Sequence, residues 1–360
     1  MSGLDSLLAV LKSPELATDL SARPELWAEI KRLAEVHRFS GWLAHSASPW
    51  LSPSERPWRD QTLMMHHRRH AQRLAALRRL IEAFREEGIS CVSLKGPLLA
   101  ERFYERPYLR PANDLDLLIH ERDVGRSARV MSQLGFQLEG RHPWQLHRKL
   151  DKHLDFHPAG NLPRVEIHFR LKAGGAFLPA AEFLDRACTW PSPSGFEALV
   201  LSPSDDAFYS CVHAANHVFH RLRWLYDTIC IARSLTSVEC SRVRQLAIIH
   251  KQVGRFVGAE FAAGEFFGES LAFDNTGFSI PWLWSRLAAR HTRNMVERVE
   301  GTTSTFFEKV GSRLDTYRMA GSPIAAAQLF AGQAEVELQK KWYALRHPPD
   351  PDTLARTLPT

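Results

Sequence analysis

The sequence predicts an α+β (mixed α/β) fold: a small mixed sheet over residues 88–200, with a helical region before it over 1–87 and another after it over 201–360. Three observations carry this. Helical periodicity fills the first 87 residues, the apolar period drops to two in several short runs from Ile89 onward, and the helical period returns after Pro203.

Composition bounds the function. At 360 residues the chain is long enough for two or three units with a substantial core. Its 44% hydrophobic and 24% charged residues exclude the disordered and fibrous classes. A formal charge of +6 favours anionic partners, nucleotides or nucleic acid among them, without choosing one. Five cysteines with no C-x-x-C pair argue against a disulfide framework or a zinc ribbon, and for a reducing compartment. The start "MSGLDSLLAVLKSPEL" has no basic region before a long apolar run, and no later stretch reaches membrane-spanning length. The expectation is a soluble cytoplasmic protein without a membrane partner.

The elements follow in order. "PELWAEIKRLAEVHRF" reads as a helix, and Ser52-Pro53-Ser54-Glu55 as a capping box before a long helix ending near Gly88. On that helix Leu74, Leu77, Ile81 and Phe84 share a face. Arg68, Arg69, Arg73, Arg78, Arg79 and Arg85 supply charge, either as a solvated face or as a surface for nucleic acid. Next come "ISCVSL" as a strand, "GPLLAERFY" as a short helix, "DLDLLI" as a strand and "ERDVGRSARVMSQLGF" as a helix closing at Gly135. "HLDFHP" and "RVEIHFRL" are two further strands. The Pro/Ser-rich "WPSPSG" and "LSPSD" bracket the join to the C-terminal helices.

In "RPANDLDLLIH" strand alternation puts Leu115, Leu117 and Ile119 on one face and Asp114 and Asp116 on the other. Two adjacent carboxylates repel unless a cation lies between them, and hard divalent ions take such oxygens. In "RVEIHFRL" Val165, Ile167, Phe169 and Leu171 alternate with Glu166, His168 and Arg170. If the two strands are neighbours, Glu166 joins the aspartates in a nest for one or two Mg²⁺ ions. The competing readings are an acidic edge strand for the aspartates, and a structural ion pair of Glu166 with Arg164 or Arg170. "VSLKGPLLAERFY" has the form strand, turn, helix, with Gly96 at the turn and Pro97 at the first helical position. Lys95 beside that helix end makes a phosphate seat, or is an ordinary exposed lysine. His213, His217 and His220 fall on one helix face, but H-E-x-x-H is absent, and hydrogen-bonded structural roles compete with zinc. Asp227 and Trp224 read as helix-packing or supporting residues.

The order "LKG", "RPANDLDLLI", "VEIHFRL" and "HAANHVFHRLRWLYD" resembles the uncharacterised bacterial nucleotidyltransferase family of the polymerase-β-like superfamily, over residues 88 to 235. The resemblance implies a Mg²⁺-dependent enzyme that transfers an NMP from an NTP, ATP among the candidates, to an acceptor hydroxyl or phosphate with release of pyrophosphate. It assigns catalysis and metal binding to Asp114, Asp116 and Glu166. Lys95, Gly96 and Arg110 would steady the phosphates, and His217 would meet substrate from a helix over the cleft. The base and the acceptor, whether small molecule, peptide or nucleic acid, stay open. One departure is visible: superfamily members commonly carry Gly-Ser where this chain has Lys95-Gly96, so the serine hydroxyl is missing. The alternative is a catalytically weak or inactive nucleotide- or nucleic-acid-binding module of the same fold.

Overall fold

The computed structural model describes residues 2–273, apart from 141, 159, 161, 174, 175, 218 and 220, together with 338–344, 346 and 352–359. In chain order the elements begin with helices α1 (Gly3–Lys12), α2 (Ala17–Ser21), α3 (Pro24–Val36), α4 (Ser40–Ser46) and α5 (Arg56–Glu86). Strand β1 (Cys91–Ser93), helix α6 (Gly96–Phe103), β2 (Asp114–Ile119), α7 (Val124–Gln133) and β3 (Phe136–Glu139) follow. Then come α8 (Trp144–Leu150), β4 (His153–Pro158), β5 (Arg164–His168), β6 (Arg170–Ala173), β7 (Ala176–Pro179) and α9 (Ala180–Leu184). The series closes with β8 (Cys188–Ser192), β9 (Phe196–Val200), α10 (Pro203–Asn216), α11 (Leu222–Ala232), α12 (Ser237–Ile249), α13 (Val253–Phe267) and α14 (Thr353–Thr357).

The chain divides into two compact units. One takes Met1–His70, Phe103–Pro111 and the described residues of Ala207–Ala326. It is helical around a core that includes Trp27, Ile30, Leu33, Leu43, Leu225, Phe256 and Phe266, all buried. Its α1 opens on a reciprocal capping box between Ser2 and Asp5. The box expected at Ser52 does not form, because the Glu55 carboxylate is taken by Lys31 Nζ at 2.8 Å and Ser52 Oγ meets Ser54 Oγ at 2.9 Å.

The other unit takes Ala71–Arg102, Ala112–Asp206 and the described residues of Ala327–Thr360. It holds a seven-stranded sheet in the order β3-β4-β5-β2-β1-β9-β8, with β2/β5 and β1/β9 parallel and the other pairs antiparallel. Leu115, Leu117 and Ile119 of β2, Val165 and Ile167 of β5, and Leu154 and Phe156 of β4 form one buried cluster. Leu74, Leu77, Ile81 and Phe84 of α5 and Val124, Val130 and Met131 of α7 complete it. This is the apolar face that strand alternation and the α5 stripe anticipate. Removing a fully buried ring here, as in Phe84→Ala, costs about 3–5 kcal/mol.

Two local readings change. "RVEIHFRL" is not one strand: β5 ends at His168, and Arg170–Ala173 pairs with β7 in a separate two-stranded sheet. The "WPSPSG" stretch, read as one side of the join to the C-terminal helices, lies inside the sheet: it carries the end of β8 and the turn into β9, with Gly195 at φ +83° in the left-handed region that glycine enters without a Cβ clash. Among the described residues the five cysteines are free thiols, and no helix is long and apolar enough to cross a membrane.

Candidate active site

The site is set by register. β2 and β5 run parallel with Asp116 opposite Glu166 and Asp114 opposite Arg164, and β4 runs antiparallel to β5 with Asp155 opposite Glu166 and His153 opposite His168. Side chains in register share a face, so Asp116, Glu166 and Asp155 form an acidic row across three strands, on the side of the sheet away from the apolar cluster. β2 lies between β5 and β1 in the interior of the sheet, which rules out the edge-strand reading of its acids. Arg170 has left this face: its Nε donates to the Asp151 carbonyl at 2.8 Å and its guanidinium covers the Phe177 ring at 3.7 Å. Arg164 stays, with Nη2 3.9 Å from Glu166 Oε1 and a shorter contact to Asp155.

Lys95 reaches the row from the turn before α6. The Leu94 N–H donates to the Asp116 carbonyl at 3.0 Å, which carries the β1/β2 pairing one residue past β1. Gly96 then turns the chain at φ +72° into α6. Beyond the turn, Glu101 accepts from Ser192 Oγ at 2.7 Å and Ser194 Oγ at 2.9 Å, and Arg102 pairs with Asp206 and donates to the Leu201 carbonyl at 3.1 Å. These bonds fix the helix whose first turn faces the acids' strand. Lys95 Nζ stands 3.1 Å from Asp116 Oδ1, so this lysine is neither exposed nor simply waiting for phosphate.

His168, fully buried, sends Nε2 to Asp116 Oδ1 at 3.0 Å and to Glu166 Oε2 at 3.3 Å. Burial alone pushes the Asp116 carboxyl up, but the Lys95 ammonium and the His168 bond hold it well below the usual carboxylate range. Glu166 is also held low, its burial outweighed chiefly by the bond to His168. Asp114 goes the other way: burial and then the charges of Asp116 and Glu166 raise it, against a smaller opposing pull from Lys95. Burial, then Lys152, lowers His168 and keeps the ring neutral.

Three residues of this face carried no signal that set them apart in the sequence. Lys152, just before β4, is half-buried, and among the described residues its ammonium has no ion-pair partner; burial and the nearby Lys95 lower its pKa. His153 and Asp155 sit on β4, with His153 Nε2 3.3 Å from Asp155 Oδ2. The alternation in "HLDFHP" puts both on the polar face, but only the pairing of β4 with β5 brings them to Glu166.

The remaining expected residues lie in the helical unit. Arg110 is 3% exposed and grips Asp227 bidentately, Nε to Oδ1 at 2.7 Å and Nη2 to Oδ2 at 2.9 Å, while Tyr104 OH donates to Oδ1 at 2.6 Å. A guanidinium so engaged makes a buried pair within this unit. α10 ends at Asn216, so His217 lies past the helix, exposed, its ring 4.8 Å from His213 and 4.6 Å from Trp224. His220 is outside the described residues.

The donor set can be tested against the Mg²⁺ that the family resemblance implies. Asp114, Asp116 and Glu166 offer carboxylate oxygens, the donors a hard divalent ion prefers, and Asp114 is raised first by burial and then by the Asp116 charge, a repulsion of the kind a cation relieves. The donor type suits the ion, although among the described residues the group whose ligand atoms lie within 4.8 Å of one another is His153, Glu166 and His168 rather than the three acids.

A search of curated protein sequences finds no significant match. Among solved structures, the chain is similar to the solution structure of the antibiotic-resistance factor ANT(2'')-Ia, at 14% identity and a TM-score of 0.35, over 49% of this chain and 94% of that one. A family profile described as an uncharacterised nucleotidyltransferase matches residues 23–255. That match runs from the start of α3 into α13 and takes in every residue of the acidic row, so the chain belongs to the uncharacterised nucleotidyltransferase family.

Proposed function

We propose that the protein transfers an NMP from an NTP to an acceptor hydroxyl or phosphate and releases pyrophosphate, with Asp114, Asp116 and Glu166 as its acidic centre. The observation that carries the reading is the register that sets Asp116 opposite Glu166 beside a glycine-turned helix and two lysines. Asp114, Asp116 and Glu166 would hold Mg²⁺. When bound, that ion supplies charge neutralisation at the triphosphate and lowers the pKa of the attacking group. Lys95 and Lys152 meet the charge of the triphosphate, and the Gly96 turn lets the backbone approach it closely. Glu166, held ionised, is a weak proton acceptor, which favours an ion-holding and positioning role over general-base work.

One observation favours the second reading, a binding module without turnover. Asp116 Oδ1 already has Lys95 Nζ at 3.1 Å and His168 Nε2 at 3.0 Å, so that acid is neutralised without any ion. The test is incubation of the protein with each α-labelled NTP and Mg²⁺, with and without cell extract, in parent and Glu166→Gln. Labelled product from the parent, cut on the order of 10²-fold in Glu166→Gln at unchanged melting temperature and NTP affinity, supports transfer. An inactive parent that still binds NTP supports the module.

A further inference from the structure

The same face carries a second donor set with different chemistry. His153 and His168 lie directly opposite each other on the antiparallel β4/β5 pair, their ring centroids 5.0 Å apart, with Glu166 two residues before His168 on β5. Glu166 Oε2 is 3.3 Å from His168 Nε2 and 3.9 Å from His153 Nδ1. The three ligand atoms all lie within 4.8 Å of one another. Two donors each about 2.0–2.1 Å from a tetrahedral Zn²⁺ stand about 3.3 Å apart, so the Glu166–His168 spacing already suits one ion and the wider spacings to His153 must close onto it.

The state of His153 points the same way. Its Nε2 faces Asp155 Oδ2 at 3.3 Å, the arrangement in which a carboxylate takes one ring N–H and leaves the other nitrogen as a lone-pair donor. That other nitrogen, Nδ1, is buried and, among the described residues, has no hydrogen-bond partner. It stands near the Glu166 carboxylate, which offers it no proton. In the Nε2–H tautomer that the Asp155 contact favours, Nδ1 carries a lone pair that faces a carboxylate out of water, and a cation between the two satisfies both.

We propose that His153, Glu166 and His168 form a binding site for a divalent transition-metal ion, Zn²⁺ in the first instance, at the β4/β5 pair. Imidazole nitrogens select borderline ions of this kind over Mg²⁺, which prefers the oxygen donors of Asp114 and Asp116. His168 binds through Nε2, so the proton that Nε2 shares with Asp116 and Glu166 gives way to the ion and the ring keeps its proton on Nδ1, and Asp155 orients His153. Glu166 belongs to both donor sets, so Zn²⁺ occupancy controls whether this carboxylate is available to the acidic centre. The metal site goes beyond the transfer reading and does not depend on it, because binding is read without turnover.

The experiment is calorimetric titration of the full chain, stripped of metal with a chelator, using Zn²⁺ and Mg²⁺ separately, with Co²⁺ as an optical probe. The parent is expected to bind Zn²⁺ at least 10²-fold more tightly than Mg²⁺, and Co²⁺ to give a visible absorption band. His153→Gln is expected to weaken Zn²⁺ binding tenfold or more and to remove that band, with Mg²⁺ affinity unchanged. Asp155→Asn leaves all three ligands in place but removes the orienting carboxylate, and is expected to weaken Zn²⁺ several-fold. It serves if His153→Gln does not fold. Zn²⁺ binding no tighter than Mg²⁺ in the parent overturns the site. So does Zn²⁺ binding that the tested variant leaves unchanged, since one of the other histidines among the 17 in the chain is then the ligand. A protein that binds Zn²⁺ as expected but transfers no NMP keeps the metal site and loses only the transfer reading.

Discussion

Lys95 Nζ lies 3.1 Å from Oδ1 of Asp116, while Lys152, half-buried near the same acids, has no ion-pair partner among the described residues. The two lysines therefore answer substitution differently. Lys95→Ala removes the ammonium that neutralises a buried acid, and should lower stability as well as triphosphate binding. Lys152→Met removes an unpaired, desolvated charge, and should leave stability equal or higher while weakening triphosphate binding about tenfold. Nucleoside affinity should change little in either. Melting curves with triphosphate and nucleoside titrations check both. Equal losses for the two ligands would show that neither lysine meets phosphate.

Asp114 should trade stability for function. Its pKa is raised by burial and by the charges of Asp116 and Glu166, so its stabilising contribution is full below the unfolded value of 3.8 and is lost as pH rises through the folded value. At neutral pH the ionised group opposes folding. Asp114→Asn is expected to raise the metal-free melting temperature and to cut NMP transfer on the order of 10²-fold. A lower melting temperature would mean that the carboxylate is a structural partner instead.

Arg110 and Asp227 should behave as a buried pair. Both are almost fully enclosed, and Asp227 also accepts from Tyr104 and Arg223. Asp227→Ala leaves a buried guanidinium uncompensated, and should cost about 3–5 kcal/mol in urea unfolding. Arg110→Ala should cost a similar amount, and the double variant less than the sum. Additive losses would argue that Arg110 does its work elsewhere.

Acid should destabilise the fold well before the carboxylates titrate. His66, His70, His147 and His168 are all depressed from 6.5, chiefly by burial, His70 to about 4. A depressed histidine stabilises the fold above its unfolded value, and that contribution is lost as pH falls through the folded one, because the unfolded chain takes up the proton first. His45 is lowered in the same way, and Asp114 acts in the opposite sense, one group against five. Urea unfolding at pH 7, 6, 5 and 4.5 should therefore show stability falling steadily. A flat profile over that window would mean that these rings are solvated.

The sequence alone determined the acidic strand and much of its surroundings. β2 begins at Asp114 and ends at Ile119, and β4 spans His153 to Pro158, as alternation reads them, because period two is a local property that needs no knowledge of the partner strand. The turn at Gly96 was legible for the same reason: a glycine between strand and helix marks a conformation that other residues resist. The tertiary structure decided the rest. Nothing within "RVEIHFRL" says that Glu166 stands opposite Asp116 and that Arg170 turns away, since register is set by which strands pair. Lys152, His153 and Asp155 look like ordinary surface residues until β4 docks on β5, and the buried partner of Arg110, Asp227, stands 117 positions on. Charged side chains have no periodicity of their own. Their roles follow from the partner that long-range packing brings within reach, and from the water that burial takes away.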